Sequence, residues 1–456
     1  FKNGKWEQID SGTTLRQALS HRISKMYHKK VQEALSGAEE LMEEGEKKQK
    51  NMDAAKLADM ALNLKKTTWK QNIMRECMEV FFDKYFLDKL DTNKNLLCFN
   101  NGVLDMENKV FRKGEPNDYL SLCTNTDYIK IDPENEEHMR IKAEITTFME
   151  QLFPEPNLRK YMWQHLASVL KGGNKNQTFN IYTGTGRNGK SKLVELMGLV
   201  LGKYKGSVPL SLITRERTGI GCVSPEVAQL SGVRYAVMQE PSKSTKLVEG
   251  PMKELVGEDP IQCRALYQDV KTYVPQFKLV VCTNHLFDIQ SNDDGTWRRI
   301  RLVDFKSRMV DNPSEDPNDF EFKKDQDLDK KFPGWVPIFT AMLVEIVFET
   351  DGDVEDCEEV MAASLKYKEQ QDHMSAFISE RIQKHEAGVI KKTDVKQEFE
   401  EWYTDLYSGK VPSGKELYDY LTKVLGKPTK RGWVGWSLCH SYDMVDENVV
   451  LRPNAV

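Results

Sequence analysis

Eight consecutive residues, Gly184, Thr185, Gly186, Arg187, Asn188, Gly189, Lys190 and Ser191, fit the pattern GxxxxGK[ST]. Glycines at these positions let successive backbone N–H groups curl round a phosphate, and a helix starting at the lysine adds its positive end. Lys190 is spaced to reach the β- and γ-phosphates of a nucleoside triphosphate, and the Ser191 hydroxyl to ligate Mg²⁺. Such chemistry needs an acidic group at a neighbouring strand end. Val237-Met238-Gln239-Glu240 supplies one, 50 residues past Lys190 (240 − 190). Glu240 is read as the base that activates water, touching the metal as well through water. Val280-Val281-Cys282-Thr283-Asn284 is an apolar run ending in a polar pair, and Asn284 suits the holding of that water. Gly295-Thr296-Trp297-Arg298-Arg299 then places two adjacent arginines before another apolar run. Supplied to a neighbouring subunit's nucleotide, either would neutralise transition-state charge.

These groups need a scaffold of strand ends. From Gln177 to Phe305, short apolar runs alternate with helical patterns, which predicts α/β layers around a mostly parallel sheet. Residues 1–135 read as a helical, collar-like N-terminal domain with a small β segment. Leu15, Leu19, Ile23 and Met26 give an amphipathic stripe, and residues 91–132 have turn-and-strand composition. Residues 136–176 read as a helical linker broken at Pro154 and Pro156. The core spans 177–310, a helical segment 311–385, and a winged-helix-like domain 386–456. In that last domain Thr393 is expected to cap one helix and Ser413-Gly414-Lys415-Glu416 to box another. Lys427 to Trp436 is expected to form a β-hairpin.

The chain has 456 residues, 65 Lys plus Arg and 70 Asp plus Glu, a formal charge of −5. It is long enough for roughly three domains. A protein that wraps nucleic acid with its whole surface is basic, so any nucleic-acid contact here is local. The eight cysteines form no CxxC pair and suggest reduced thiols. Val336–Phe348 is too short to span a bilayer, and no membrane partner is expected. The chain starts at Phe1 rather than Met, which suggests that a natural N-terminal part is missing.

GTGRNGKS, GVRYAVMQEP, MKELVGEDPIQCRALY, FKLVVCTN and DGTWRRI, in that order, resemble a superfamily 3 helicase. Among such proteins the chain is most similar to the primase-helicases of poxviruses and other nucleocytoplasmic large DNA viruses. Upstream, Asn101, Gly102, Val103 and Asp105 fit the same likeness. The resemblance implies an AAA+ P-loop ATPase core flanked by a helical N-terminal domain and a mostly helical C-terminal domain. It implies an ATP-dependent DNA helicase of viral genome replication, with ATP and Mg²⁺ as cofactors, a homo-hexameric ring, translocation on single-stranded DNA at a replication fork with unwinding of the duplex, and residence in the host cytoplasm. Association with a primase domain or other replication proteins also follows from it. Lys190 and Ser191 then form the phosphate-loop pair, Glu240 is the catalytic acid, Asn284 the polar sensor, and Arg298 and Arg299 the finger candidates. Gln239 departs from the two acidic residues usual at that point, which weakens direct metal ligation there. The family's channel hairpin maps to Leu266–Tyr273, with Lys271 as its DNA contact and Lys253 and Arg264 as secondary candidates. Tyr267 and Tyr273 are expected in the core. The competing expectation is a P-loop motor of another class, for DNA packaging or loading, without strand separation. A nickase would need a His-x-His pair, and the eight histidines make none.

Overall fold

The computed structural model describes residues 1–39, 42–216, 223–239, 245–267, 269–289, 293–407 and 411–439. The chain divides into two compact units, residues 1–92 with 114–121, and 93–113 with 122–456.

The first unit is helical. Helices Ser24–Glu39 and Glu44–Asn63 bury Ala38, Ala54 and Ala61, and the buried Ser24 hydroxyl donates to Ala61 O at 2.9 Å. Small residues let the two backbones approach this closely. The stripe expected from Leu15 to Met26 is only partly buried: Leu19 lies inside, whereas Met26 is 58% exposed. The chain makes a π turn at Leu19–Ile23. A π turn shifts the phase of the side chains, so a stripe drawn at 3.6 residues per turn misplaces Met26.

The second unit opens with an antiparallel meander, β1 (Leu96–Phe99), β2 (Gly102–Asp105) and β3 (Val110–Arg112). Helix Glu136–Leu152 follows, capped by the Asn135 side chain, then helix Pro156–Ser168. Proline tolerates the first helical turn but not the interior, so the break falls between the two helices. Five strands build the central sheet: β4 (Phe179–Thr183), β5 (Lys205–Ser207), β6 (Tyr235–Gln239), β9 (Lys278–Cys282) and β10 (Ile300–Asp304). All pairings are parallel, in the order β10-β4-β9-β6-β5. Between β6 and β9 stand helix Glu249–Val256 and an antiparallel hairpin, β7 (Ile261–Arg264) and β8 (Val270–Tyr273). Numbering the five core strands by sequence gives 5-1-4-3-2 with the glycine loop leaving the first, which is the AAA+ P-loop arrangement.

Strand side chains alternate between the two faces. Tyr182, Tyr235, Val237, Val280 and Val303 pack under helices Glu136–Leu152, Pro156–Ser168, Lys190–Leu201 and Leu328–Thr350. Phe179, Ile181, Ala236, Met238, Leu279 and Val281 pack on the other face, against Met252 and Leu255 of helix Glu249–Val256. Both faces are covered, so the strands read as continuous apolar runs. Helix Leu328–Thr350, at 23 residues, is longer than the apolar stretch seen in the sequence. By length and composition it could cross a membrane. It instead buries Phe332, Trp335, Phe339, Leu343 and Val347 in this core.

The segment 311–385 is not helical throughout, since β12 (Glu321–Lys323) pairs in parallel with β11 (Arg308–Val310). The C-terminal region runs helix His373–Arg381, β13 (Ile382–Ile390), helix Lys392–Leu406, helix Gly414–Leu425 and β14 (Trp433–Leu438). This helix-strand-helix-helix-strand order is winged-helix-like, around Phe377, Phe399, Trp402, Leu417 and Trp433. The Ser413–Glu416 capping box is present. Two details differ from expectation. Thr393 does not cap its helix, because its hydroxyl donates to Asp394 at 2.7 Å and Lys391 holds the cap position. Residues 427–436 do not form a hairpin by themselves: β14 pairs with the distant β13, and only the Thr429–Gly432 bridge is local.

Candidate nucleotide site

The glycine loop joins β4 to helix Lys190–Leu201 at the carboxyl edge of the sheet. Gly184 has φ 151° and Gly189 φ 79°. A Cβ at Gly184 would strike the Asn188 carboxamide, and one at Gly189 would strike Leu152, so glycine is needed at both. Asn188 Nδ2 donates to Phe305 O at 3.4 Å, and Met309 N to Arg187 O at 2.7 Å. These bonds fix the loop to the residue after β10 and to β11.

Lys190 is 7% exposed. Its Nζ donates to Gly184 O at 3.1 Å and to Asn284 Oδ1 at 3.0 Å. Burial lowers its pKa, opposed by the nearby Cys282 and Asp304. A partly desolvated ammonium interacts strongly with a phosphate placed beside it. Asn284 is set by a tight turn after β9, where Thr283 N donates to Tyr182 O and His285 N to the Thr283 hydroxyl, both at 2.9 Å. Burial pushes the Cys282 thiol up to about 11, which keeps it neutral and unreactive.

Gly186, Arg187, Asn188, Gly189, Lys190 and Ser191 line a cavity of about 270 Å³ together with Gln239, Thr283 and Asn284. The structure therefore brings the phosphate loop, the end of β6 and the polar end of β9 to one place. Glu240 lies outside the described residues. Ser191, with the amide of Gln239 nearby, offers few protein donors to a metal. That suits Mg²⁺, which keeps its waters and binds mostly through substrate phosphates. Among the described residues no cluster of three His, Cys, Asp or Glu is placed to hold a metal ion.

Two features of the site escaped the sequence reading. Asp304 ends β10 directly beside Thr183, half-buried, with its carboxyl raised by burial and with Lys306 and Lys190 as opposing charges. Its signal was a carboxylate ending an apolar run. The second is a cavity of about 1110 Å³ sharing Arg187, Gly189 and Lys192 with the loop, lined also by Thr147, Gln151 and Met309. No local motif marks it, because its walls come from three separate segments of the chain, within 140–152, 187–192 and 309–335.

Arg298 and Arg299 sit elsewhere. Ile300 pairs with Phe179 at the amino end of β4, and Asp304 with Thr183 at its carboxyl end. The five-residue strand places the arginines roughly 17 Å from their own phosphate loop. Arg298 Nη2 donates to Gln177 Oε1 at 3.0 Å, and Arg299 Nη2 donates to the same oxygen.

The expected DNA-contact residues also scatter. Lys253 is engaged by Glu249 at 3.0 Å and Asp293 at 2.6 Å. Arg264 is exposed at the end of β7. Lys271 is not at the hairpin tip. It faces Cys263 within β8, and its Nζ donates to Ser231 Oγ at 3.1 Å. Tyr273 is half-buried, its hydroxyl donating to Val227 O at 2.7 Å. Tyr267, expected in the core, is 96% exposed in the turn, with φ 59°.

Comparison with known proteins adds a second line of observation. Residues 1–155 match the family model described as D5 N terminal like, and residues 182–299 match a family of unknown function, DUF5906. A protein of Acanthamoeba polyphaga mimivirus, provisionally named helicase L207/L206, is 33% identical over 433 residues, covering 92% of this chain and 44% of the relative. One from Invertebrate iridescent virus 3, provisionally named helicase 121R, is 29% identical, covering 82% and 42%. An African swine fever virus protein provisionally named primase C962R is 27% identical, covering 74% and 36%. The chain thus spans less than half the length of these relatives. Among solved structures, the apo C-terminal region of NrS-1 aligns with a TM-score of 0.39 and 14% identity over 54% of this chain and 53% of that one, too loosely to carry an argument.

Proposed function

Because the chain belongs to the D5-like primase-helicase family of large DNA viruses, we propose that it is the ATP-dependent helicase part of a viral replication protein, of the superfamily 3 type, working as a homo-hexameric ring on single-stranded DNA. The observation that carries this reading is the single cavity shared by the Lys190 loop, Gln239 and Asn284. In it, the loop N–H groups and Lys190 hold the β- and γ-phosphates, and the larger adjoining cavity takes the nucleoside. Asn284, already bonded to Lys190, orients water at the γ-phosphate. Glu240 accepts that water's proton. Ser191 would hold Mg²⁺, which when bound would supply charge neutralisation on the transferred group. Arg298 or Arg299, remote from its own loop, serves the nucleotide of the adjacent subunit.

The test is steady-state ATP hydrolysis with and without single-stranded DNA. Lys190→Ala is expected to abolish turnover, and Glu240→Gln to retain nucleotide binding while losing hydrolysis. Hydrolysis at the wild-type rate by Lys190→Ala would remove the nucleotide assignment.

A further inference from the structure

Two adjacent guanidinium groups are ordinarily stabilised by carboxylates. Among the described residues, neither Arg298 nor Arg299 has a carboxylate partner within ion-pair distance. The two carboxylates just before the pair are each engaged by another cation, Asp293 by Lys253 at 2.6 Å and Asp294 by Lys368 at 2.9 Å, and Asp356 is taken by the neighbouring Arg301 at 3.0 Å. The two arginines share one neutral oxygen, Gln177 Oε1, which accepts from both. Arg299 also donates to Gly295 O, and its buried Nε has no partner among the described residues. Burial and the adjacent Arg298 charge lower the Arg299 pKa, and Asp293 opposes them. The charge of the pair is therefore aimed and only partly offset, because Asp293 is already ion-paired to Lys253.

Gln177 is itself held for this task. It stands two residues before β4 with φ 53°, a conformation uncommon for a residue with a side chain. Its N–H donates to Asn174 O at 2.6 Å, and Asn174 is pinned in turn by Nδ2 bonds to Thr178 O at 2.9 Å and Val256 O at 3.1 Å.

We propose that Gln177 is a positioning residue for ATP hydrolysis, a neutral latch that aims the Arg298–Arg299 pair at an external phosphate anion without quenching its charge. This rests on the reading that the pair serves a neighbouring subunit's nucleotide. An amide oxygen suits the task better than a carboxylate. It accepts two N–H groups to fix geometry, yet it exchanges readily for a phosphate oxygen, because no ion pair has to be broken.

The experiment measures kcat and KM for ATP, with melting temperature, in Gln177→Glu, Gln177→Ala, Arg298→Ala and Arg299→Ala of the assembled protein. Gln177→Glu keeps the shape and adds a carboxylate between the two arginines. It is expected to hold or raise the melting temperature and to lower kcat by about tenfold or more, with KM unchanged. That loss is smaller than the ~10³-fold loss on removing a working finger. Gln177→Ala is expected to lower kcat several-fold, again at constant KM. A purely structural Gln177 would give the reverse pattern, with a lower melting temperature in the alanine variant and wild-type kcat in both. Wild-type kcat in both Gln177 variants, with hydrolysis lost in Arg298→Ala or Arg299→Ala, overturns the latch and leaves the finger reading standing. Wild-type hydrolysis in both arginine variants overturns the finger reading and the latch with it.

Discussion

Lys190 and Asn284 show how single side chains set this site. With Nζ bonded to Gly184 O and Asn284 Oδ1, the lysine holds both the loop and the end of β9 in place. The buried polar groups at the other edge of the sheet have a different consequence. Lys278 Nζ donates to Ser168 O at 2.7 Å and Lys171 O at 2.9 Å, and burial brings its pKa down to about 7. His165 is 2% exposed with Nε2 unpartnered among the described residues, and burial lowers its pKa to about 3. Both folded values are depressed, so both groups favour folding above their unfolded pKa and lose that contribution as pH falls. For Lys278 the loss is complete near pH 7. For His165 it starts near 6.5 and continues towards 3. Between pH 7 and pH 5, His165 alone is expected to remove about 2 kcal/mol of stability. Chemical denaturation of wild type and His165→Gln at both pH values tests this: the variant should show a smaller drop by about that amount. Equal drops would mean that His165 is not held neutral by its surroundings.

At the scale of elements, the sequence made the strand-helix core legible because burial on both faces gives unbroken apolar runs. The phosphate loop was legible because its chemistry is confined to eight residues. Less was readable where contacts are long-range or a local rule has two outcomes. β13 went unseen, since Gln383 to Val389 lacks an apolar run, and its partner β14 lies about 50 residues on. The hairpin β7–β8 shows the second difficulty. Strand alternation fixes which residues share a face but not where the turn falls. The paired residues end at Arg264 and resume at Val270, which leaves Leu266 (59% exposed) and Tyr267 (96%) beyond the ladder and carries Lys271 back along β8. If this hairpin meets single-stranded DNA, the tip acts through stacking and Lys271 through a phosphate. Tyr267→Ala is then expected to weaken single-stranded DNA binding by about 1–3 kcal/mol with an unchanged salt slope. Lys271→Ala is expected to lower the slope of log affinity against log salt by about one. Fluorescence anisotropy from low to moderate salt reads both. Wild-type affinity in Tyr267→Ala would move the contact to another loop.

At the scale of the whole molecule, the sheet puts the phosphate loop at its carboxyl edge and Arg298 and Arg299 at its amino edge. One subunit cannot bring the two together across a strand of roughly 17 Å. The proposed active centre is complete only between subunits. Mixing Lys190→Ala protein with Arg298→Ala protein is accordingly expected to restore part of the hydrolysis that each lacks alone, since some interfaces then combine an intact loop with an intact arginine. Mixed assemblies that remain inactive would assign Arg298 a role within its own subunit.

On the proposed reading, hydrolysis at the Lys190 loop drives strand separation, and displacement of a labelled strand from a forked DNA duplex reads this out. The chain is expected to release the strand with ATP and Mg²⁺, and to release none without ATP or as Lys190→Ala. ATP hydrolysis stimulated by single-stranded DNA, with no strand released from any fork, would contradict the claim and identify a P-loop motor of another class.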